Sequence, residues 1–273
     1  MFGRVVASRI MGHMGADGGR NDLSPNQYGF RAGRTIIDAL ARIRDVIKET
    51  LRRSGVAIAV SIDVKNAFNS VPWSTIRDGL VSKSVPDYLV SVIGSFPSER
   101  KISYEKPDGT TEKADVFCGV PQGSVLGPLL WNIAYDCVLT RTVLPEGCFL
   151  ICYAYDTLLL ATGRGWAKVR DRAETGLCAT VEVIRGIGLR VSLLKTEGCG
   201  FHRPRNRLPN GLALSSGGVR MRVGRTLGYL GVTFDSGLTF GQHLALLGPK
   251  IRAANASLGR LMPNLRGPRA RVR

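Results

Sequence analysis

The sequence predicts a protein of the α+β class built around one hydrophobic core, and three observations lead to this prediction. Hydrophobic residues make up 44% of the 273 residues and charged residues 22%, a balance that buries a core and excludes compositional disorder. Short β-branched apolar runs and helically spaced segments alternate irregularly, which favours mixed layers over a doubly wound parallel sheet. No run of about 18 apolar residues occurs, so no transmembrane helix is expected.

The first third of the chain contains a loop, a helix and a buried strand. Residues 10–24 are rich in Gly and Asp and predict a loop. Apolar residues recur at helical spacing over 35–53, and Gly55 ends the run. The β-branched apolar run at 56–62 then predicts a buried strand that ends at Asp63.

The rest of the chain contains two hairpin signals among further helices. Segments 101–106 and 111–117 flank Pro107-Asp108-Gly109, and two apolar runs, 148–154 and 157–161, are parted by Tyr155-Asp156. The other predicted elements are helices over 72–83, 86–96, 128–143 and 166–187, strands near 190–201, 219–223 and 227–234, and a helical segment from 240 to 262 that leads into an Arg-rich tail, 266–273.

Positive charge dominates the chain and is concentrated towards its end. Lys and Arg number 38 against 21 Asp and Glu, and from Phe201 onwards there are 13 Lys or Arg against one acid, Asp235. This excess predicts a polyanionic partner, although a solvated basic face is the alternative. The amino end lacks a signal-peptide core, and six cysteines without a C-x-x-C pair predict reduced thiols in an intracellular protein, with no zinc site.

Two carboxylates occur where apolar residues are expected. Asp63 closes the strand at 56–62, and Asp156 lies at the tip of the second hairpin. A buried carboxylate without a partner is costly, so each needs a cation, a hydrogen-bond network or exposure at a strand end. Taken singly, each is better explained as an ordinary turn aspartate. Together, on a basic chain, they predict a divalent-metal site for phosphoryl or nucleotidyl transfer.

Several short sequence blocks occur in a fixed order between residues 4 and 250. They are SPNQYGFR at 24–31, GRT at 33–35, SIDVKNAFN at 61–69, GVPQGSVLGPLL at 119–130, YAYD at 153–156, GL at 188–189, KTE at 195–197, and GYLGV at 228–232 followed by Phe240 and His243. In this order the chain resembles the reverse transcriptase domain of non-LTR retrotransposons of the arthropod type. The Pro-Gln-Gly-Ser block is quite specific by itself.

The resemblance implies a right-hand polymerase with a palm on a βαββαβ-like sheet. Partial fingers would occupy 1–55 and 85–122, the palm 56–84 and 123–235, and the start of a truncated thumb 236–273. Both ends look cut, so the chain is expected to be a fragment of a polyprotein that also carries an endonuclease domain. Target-primed insertion would place the protein in the nucleus.

The resemblance also implies a metal site. Asp63 and Asp156 would be ligands, with the carbonyl of Val64 as a further contact. The cofactor would be two Mg²⁺ ions, with Mn²⁺ as a substitute.

The implied substrate-binding residues surround an incoming nucleotide. Phe68 would be the aromatic gate beside the sugar, the alternative being an ordinary core phenylalanine. Gln122 and Gly123 would lie against the nascent base pair, the alternative being a simple turn before the next helix. Lys195 would approach the triphosphate, the alternative being an ordinary solvent-exposed lysine. Arg31 and Arg34 would bind phosphates of the template or the triphosphate, the alternative being surface salt bridges.

One position departs from the family pattern. Tyr155 stands where the family has an aspartate that is normally the principal palm ligand, and a tyrosine with an unperturbed pKa near 10 is neutral at pH 7. We therefore expect this copy to be inactive or severely impaired. A one-residue slip that lets Asp156 take the vacant position is disfavoured, since it would turn every flanking side chain to the other face.

The predicted function is RNA-directed DNA polymerisation by two-metal nucleotidyl transfer onto a primer 3′-OH, with deoxynucleoside triphosphates, an RNA template and a DNA primer. A catalytically dead nucleic-acid-binding remnant of the same fold is the alternative. An unrelated basic RNA-binding module would leave the ordered blocks unexplained.

Overall fold

A computed structural model of the chain describes residues 2–16, 21–95, 101–121 and 123–261. The helices are α1 (Phe2–Ala16), α2 (Ile36–Arg52), α3 (Ala67–Ser70), α4 (Trp73–Ser82), α5 (Asp87–Ser95), α6 (Leu126–Arg141), α7 (Trp166–Gly186) and α8 (Gly241–Leu261). The strands are β1 (Val56–Ile62), β2 (Lys101–Glu105), β3 (Thr111–Asp115), β4 (Cys148–Tyr153), β5 (Asp156–Gly163), β6 (Glu197–Phe201), β7 (Ala213–Ser216), β8 (Val219–Gly224), β9 (Thr226–Tyr229) and β10 (Val232–Asp235). Two 3₁₀ turns, Leu193–Lys195 and Pro204–Asn206, complete the set.

A six-stranded sheet with the order β4-β5-β1-β6-β8-β7 forms the centre of the molecule. β1 is antiparallel to both β5 and β6, while β8 runs parallel to β6. Because β1 has a neighbour on each side, its backbone polar groups are paired, and its apolar side chains are free to fill the core on both faces. The residues that follow β1 are thus attached to an interior strand of the sheet.

The two faces of the sheet carry different layers, because successive strand residues point to opposite sides. Ile58, Val60 and Ile62 lie in the core that α6 and α7 cover. Ala57 and Ala59 point the other way, into a second core with α2, β9 and β10. Small side chains on this face leave room for α2 to approach. The mixed layers confirm the predicted α+β class and are consistent with a polymerase palm.

Most predicted elements are confirmed, and their local causes are visible. α2 begins after Thr35, whose side chain and that of Asp38 form a reciprocal capping box. β1 has the bounds that the apolar run predicts, and both predicted hairpins form. Pro128 lies in the first turn of α6, where its missing N–H needs no partner.

Three predictions were wrong in detail. Residues 10–16, expected in a loop, belong to α1, because Val6, Ala7, Ile10 and Met14 form a buried helical stripe that outweighs the glycines. The strand expected from 190 begins only at Glu197, after the 3₁₀ turn. The segment 227–234 is a hairpin, since Leu230 and Gly231 both take positive φ (48° and 77°), as a tight two-residue turn requires.

The long helix α8 follows β10 and has little cover. It contacts β10, and five of its large apolar side chains are exposed, namely Leu244, Leu246, Leu247, Ile251 and Leu258. Within the described residues, no helix is long and apolar enough to cross a membrane. The predicted Arg-rich tail at 266–273 lies outside the described residues.

All six cysteines are free thiols. Burial raises the pKa of Cys148 to about 11 and that of Cys152 and Cys199 to about 12. These three thiols are therefore protonated and unreactive at neutral pH, because the thiolate is the nucleophile.

Candidate active site

The two predicted carboxylates face each other across the β1–β5 pair. Ile62 pairs with Thr157 at the end of the β1–β5 ladder, and Asp63 and Asp156 are the next residues on the two strands, so continuing the antiparallel register would set them opposite each other. Side chains directly opposite in such a pair have Cβ atoms about 4.5–5.5 Å apart. Burial and the neighbouring charge of Asp63 raise the pKa of Asp156. Two acids thus share one partly buried corner of the sheet.

Neither carboxylate has a protein partner among the described residues. No hydrogen bond or ion pair reaches the side chain of Asp63 or Asp156. No third His, Cys, Asp or Glu joins them into a larger cluster in the part of the chain that the structure describes. The pair is therefore available to a cation, which would have two carboxylate ligands rather than three.

Tyr155 occupies the turn between β4 and β5. Tyr153 pairs with Asp156, so Ala154 and Tyr155 are the two turn residues, and Ala154 takes a left-handed φ of 58°. β4 and β5 pair without a bulge up to the turn. This is the pairing expected if Asp156 has not slipped by one residue towards the vacant position. The phenol is 40% exposed.

An aromatic cluster adjoins the carboxylates. The Phe68 ring lies 5.2 Å from that of Trp131, 5.6 Å from that of Tyr155 and 6.0 Å from that of Phe30, measured between centroids. Trp131 stacks on Tyr135 at 5.1 Å and meets the Tyr155 ring edge-on at 6.4 Å. Phe68 is partly buried and packs on the core on one side. Phe68 therefore makes the contacts of a core residue. It also lies next to the candidate site, which is the position expected of the aromatic gate.

A segment before α2 holds the β4–β5 turn in place. Tyr28 N donates to Cys152 O (2.8 Å) and Cys152 N donates to Asn26 O (2.9 Å), so this segment pairs with β4. The fully buried Gln27 amide brackets the turn: its Oε1 accepts from Ala154 N (2.9 Å) and its Nε2 donates to Ala154 O (3.2 Å). A Cβ on Gly29 would lie 2.3 Å from Ala154 N, so only glycine fits there.

Gln27 is a functional candidate that sequence reasoning missed. It lies inside the 24–31 block, but a glutamine beside a turn gives no periodic signal. Its partner is 127 residues away in the chain. Only the folded structure brings the two together.

A buried ion pair anchors the same segment to the helices. Lys83 Nζ lies 2.5 Å from Asp136 Oδ2, with the two side chains 11% and 2% exposed. Asp136 Oδ1 accepts from Ser24 N at 2.6 Å, and Lys83 Nζ also donates to Asp22 O at 2.8 Å. Both charges are thus satisfied, and the segment that positions the turn is fixed at its start.

The two arginines predicted to bind phosphates are engaged within the protein. Arg31 donates to Ser24 O at 2.8 Å and forms an ion pair with Asp22 at 2.6 Å. Arg34 donates to Pro25 O and lies over the Tyr28 ring, 5.0 Å from its centroid. For Arg31 the structure favours the salt-bridge alternative, because its side chain is 15% exposed and its guanidinium donates to Ser24 O and pairs with Asp22.

The remaining candidates lie outside the main helices and strands. Ser192 N donates to Asp63 O at 2.8 Å, which ties the segment that carries the exposed Lys195 to the site. Val64 is buried and forms a bridge with Val191 on the same segment. Gly123 is exposed with a φ of 77°, a conformation that favours glycine. Gln122 lies outside the described residues.

A set of exposed arginines follows β6. None of them forms an ion pair with another described residue, and they are Arg203, Arg205, Arg207, Arg220, Arg222 and Arg225. This is where the charge excess of the sequence lies within the described part of the chain. Unpaired guanidinium groups are suited to phosphate.

Comparisons with known proteins show the family to which the chain belongs. A profile of the family described as reverse transcriptase (RNA-dependent DNA polymerase) matches residues 2–234. In Drosophila melanogaster, a 115 kDa protein of the type-1 retrotransposable element R1DM is 28% identical over 86% of this chain and 22% of its own length. The RNA-directed DNA polymerase of the mobile element jockey is 27% identical over 86% of this chain and 26% of its own length.

Solved structures with the same fold include telomerases. A truncated apo telomerase of Candida tropicalis has a TM-score of 0.57 at 11% identity, covering 87% of this chain and 43% of that one. A Candida tropicalis telomerase in complex with a fragment of telomeric RNA has a TM-score of 0.58 at 12% identity, covering 87% of this chain and 36% of that one. The chain spans about a quarter of the curated relatives it matches. It belongs to the reverse transcriptase (RNA-dependent DNA polymerase) family and is similar within it to the proteins of non-LTR retrotransposons.

Proposed function

We propose that this chain is the fingers–palm part of an RNA-directed DNA polymerase that adds deoxynucleotides to a primer 3′-OH on an RNA template. The observation that carries the proposal is the pair Asp63 and Asp156, facing each other across β1 and β5 among the family's ordered blocks. We assign the fingers to 1–55 and 85–122, the palm to 56–84 and 123–235, and the start of the thumb to 236–273. In the full-length polyprotein we expect an endonuclease domain and action on chromosomal DNA in the nucleus.

The donor set fits a divalent cation. Two unpartnered carboxylates whose proximity raises the pKa of one of them form the oxygen-rich, negatively charged site that Mg²⁺ or Mn²⁺ prefers. Asp63 and Asp156, with the carbonyl of Val64, would hold it. When bound, such an ion stabilises negative charge on the attacking and leaving oxygens. Two carboxylates serve one ion well and leave a second ion short of a ligand.

The chain's own residues supply the rest of the proposed site. Phe68 excludes the 2′-hydroxyl side of the incoming sugar, and Lys195 holds charge on the triphosphate. Gly123 leaves the backbone free to approach the nascent base pair, together with Gln122. Gln27 fixes the turn on which Tyr155 and Asp156 lie.

Tyr155 is the reason that we expect low polymerase activity. Its ring packs against Phe68 and Trp131, and its phenol brings no charge where the family has a carboxylate. Each 1.36 kcal/mol of lost transition-state stabilisation is tenfold in rate, so we expect a loss on the order of a thousandfold or more. The same observation supports a second candidate function, a nucleic-acid-binding remnant with little or no catalysis.

The deciding experiment is primer extension on an RNA template with Mg²⁺, comparing the chain with its Tyr155→Asp variant. We expect extension to rise in the variant and to vanish when Asp63→Asn is added to it. Equal activity of the chain and the variant would contradict a disabling role for Tyr155. Binding of primer–template without extension by either would favour the remnant.

A further inference from the structure

Three aromatic side chains form a partly exposed surface next to the carboxylate pair. We call Phe30, Phe68 and Tyr155 the aromatic platform. Phe30 is 54% exposed and Tyr155 is 40% exposed, and the rings of both contact that of Phe68. Both outer rings meet Phe68 nearly perpendicularly, at interplanar angles of 76° and 89°. Edge-on packing of this kind leaves ring faces open to solvent while the rings fix one another's orientation.

The backbone under the platform is constrained. Phe30 and Ala154, which precedes Tyr155, both take left-handed φ values, 55° and 58°. Non-glycine residues keep such conformations only where the surrounding structure enforces them, and such positions are enriched at functional sites. Here Gln27 bonds both the N–H and the carbonyl of Ala154, and Gly29 packs directly on the same turn. The exposed rings are thus presented by a preorganised backbone.

Two cationic residues on the segments that lead to the platform favour a nucleic acid. Lys65 and Arg190 are exposed, have no ion-pair partner among the described residues, and are joined by a 2.8 Å hydrogen bond from Lys65 N to Arg190 O. Lys65 lies between Asp63 and Phe68 in the chain, and Asp63 and Asp156 form an acidic corner of the site. A nucleotide would therefore direct its neutral base to the rings and its phosphates to the two cations.

We propose that the aromatic platform stacks an unpaired base of single-stranded nucleic acid, with Lys65 and Arg190 on the adjoining phosphates. The proposal rests on the nucleic-acid partner inferred above, but it needs neither catalysis nor a metal ion. Base–aromatic stacking tolerates any sequence, because every base has a π-face. Tyr155 thus provides a stacking surface where the family has an anionic metal ligand. The substitution that weakens catalysis would therefore strengthen metal-free binding of nucleic acid.

The test is binding of a labelled oligouridylate to the full chain in EDTA. Replacing Tyr155 by alanine is expected to weaken binding about tenfold, since one stacked base contributes that much. Tyr155→Phe keeps the ring and should bind like the parent, and Phe30→Ala should also weaken binding. Tyr88→Ala is the matched control, because Tyr88 is 55% exposed on α5, makes no ring contact with the three described platform residues, and should change nothing.

An abasic oligonucleotide separates stacking from charge. It keeps the phosphates, so the difference between the parent and Tyr155→Ala should disappear with this probe. A uniform loss with both probes would overturn stacking, as would equal oligouridylate binding by the parent and Tyr155→Ala. Failure of the parent to bind any oligonucleotide, at low salt and with Mg²⁺, would instead count against the proposed function itself.

Discussion

Asp136 is buried and Asp156 partly buried, and the fold gives the two aspartates opposite surroundings. Asp136 faces Lys83 at 2.5 Å and also accepts from the backbone N–H of Ser24, so its charge is fully satisfied. Asp156 faces another acid, Asp63, and has no compensating partner among the described residues. The first arrangement stabilises the structure, whereas the second raises its free energy and is tolerated at a site that can hold a cation. The contrast separates a structural charge from a functional one.

The largest expected effect is on catalysis. In a Tyr155→Asp chain, Asp156→Asn should lower the primer-extension rate by roughly a thousandfold, since it removes one of the facing ligands. The rate is measured by single-nucleotide incorporation on an RNA template. Asp136→Asn serves as the comparison and should lower the rate only through loss of folded protein. Equal rates per folded molecule in the two variants would contradict a catalytic role for Asp156 that Asp136 lacks.

The next effect is on stability. Asp136→Asn leaves the Lys83 ammonium buried without a counter-charge, which typically costs about 3–5 kcal/mol. Urea unfolding measures it. Glu146→Gln is the control, because it breaks the Arg172 pair at a carboxylate that is 94% exposed, and should change stability by about 0.5 kcal/mol or less. The idea fails if both variants unfold at the same urea concentration.

A smaller effect is expected at Gln27. Gln27→Leu leaves the N–H and carbonyl of Ala154 without partners, and an unmade buried hydrogen bond costs about 1–3 kcal/mol. In a Tyr155→Asp chain the same change should lower kcat more than it raises KM for the nucleotide, because the displaced turn carries the ligands. Hydrogen exchange at Ala154 N–H should accelerate. Unchanged exchange there would contradict the bracketing role.

The smallest effect concerns pH. Because burial and Asp63 raise the pKa of Asp156, the folded state holds its proton more tightly than the unfolded state. Stability from this group is therefore present below the ordinary aspartate value of about 3.9 and is lost as pH rises through the folded-state pKa. Asp156→Asn should flatten this decline and raise Tm at pH 7 in EDTA, whereas Mg²⁺ should raise Tm only in the parent. Identical dependence of Tm on pH from 3 to 7 in the parent and in Asp156→Asn would contradict the repulsion between Asp63 and Asp156.

Some features of the site were accessible from local sequence patterns. The apolar run at 56–62 and the hairpin at 148–161 place Asp63 and Asp156 at strand ends, because strand length and turn chemistry are local properties. The role of Arg31 was not accessible. Its partners depend on how residues 22–31 fold back, and an arginine in a polar loop looks the same whether its guanidinium is engaged or free.

The sequence by itself determined the α+β class, the family, the two carboxylates and the unusual tyrosine at 155. Each of these is encoded by composition, by periodicity or by the order of short blocks. Only the tertiary structure decided what surrounds them: Gln27 on the turn 127 residues away, Asp136 on Ser24 112 residues away, and the rings that meet Tyr155. Contacts across such separations depend on how whole layers pack, and no local pattern specifies them.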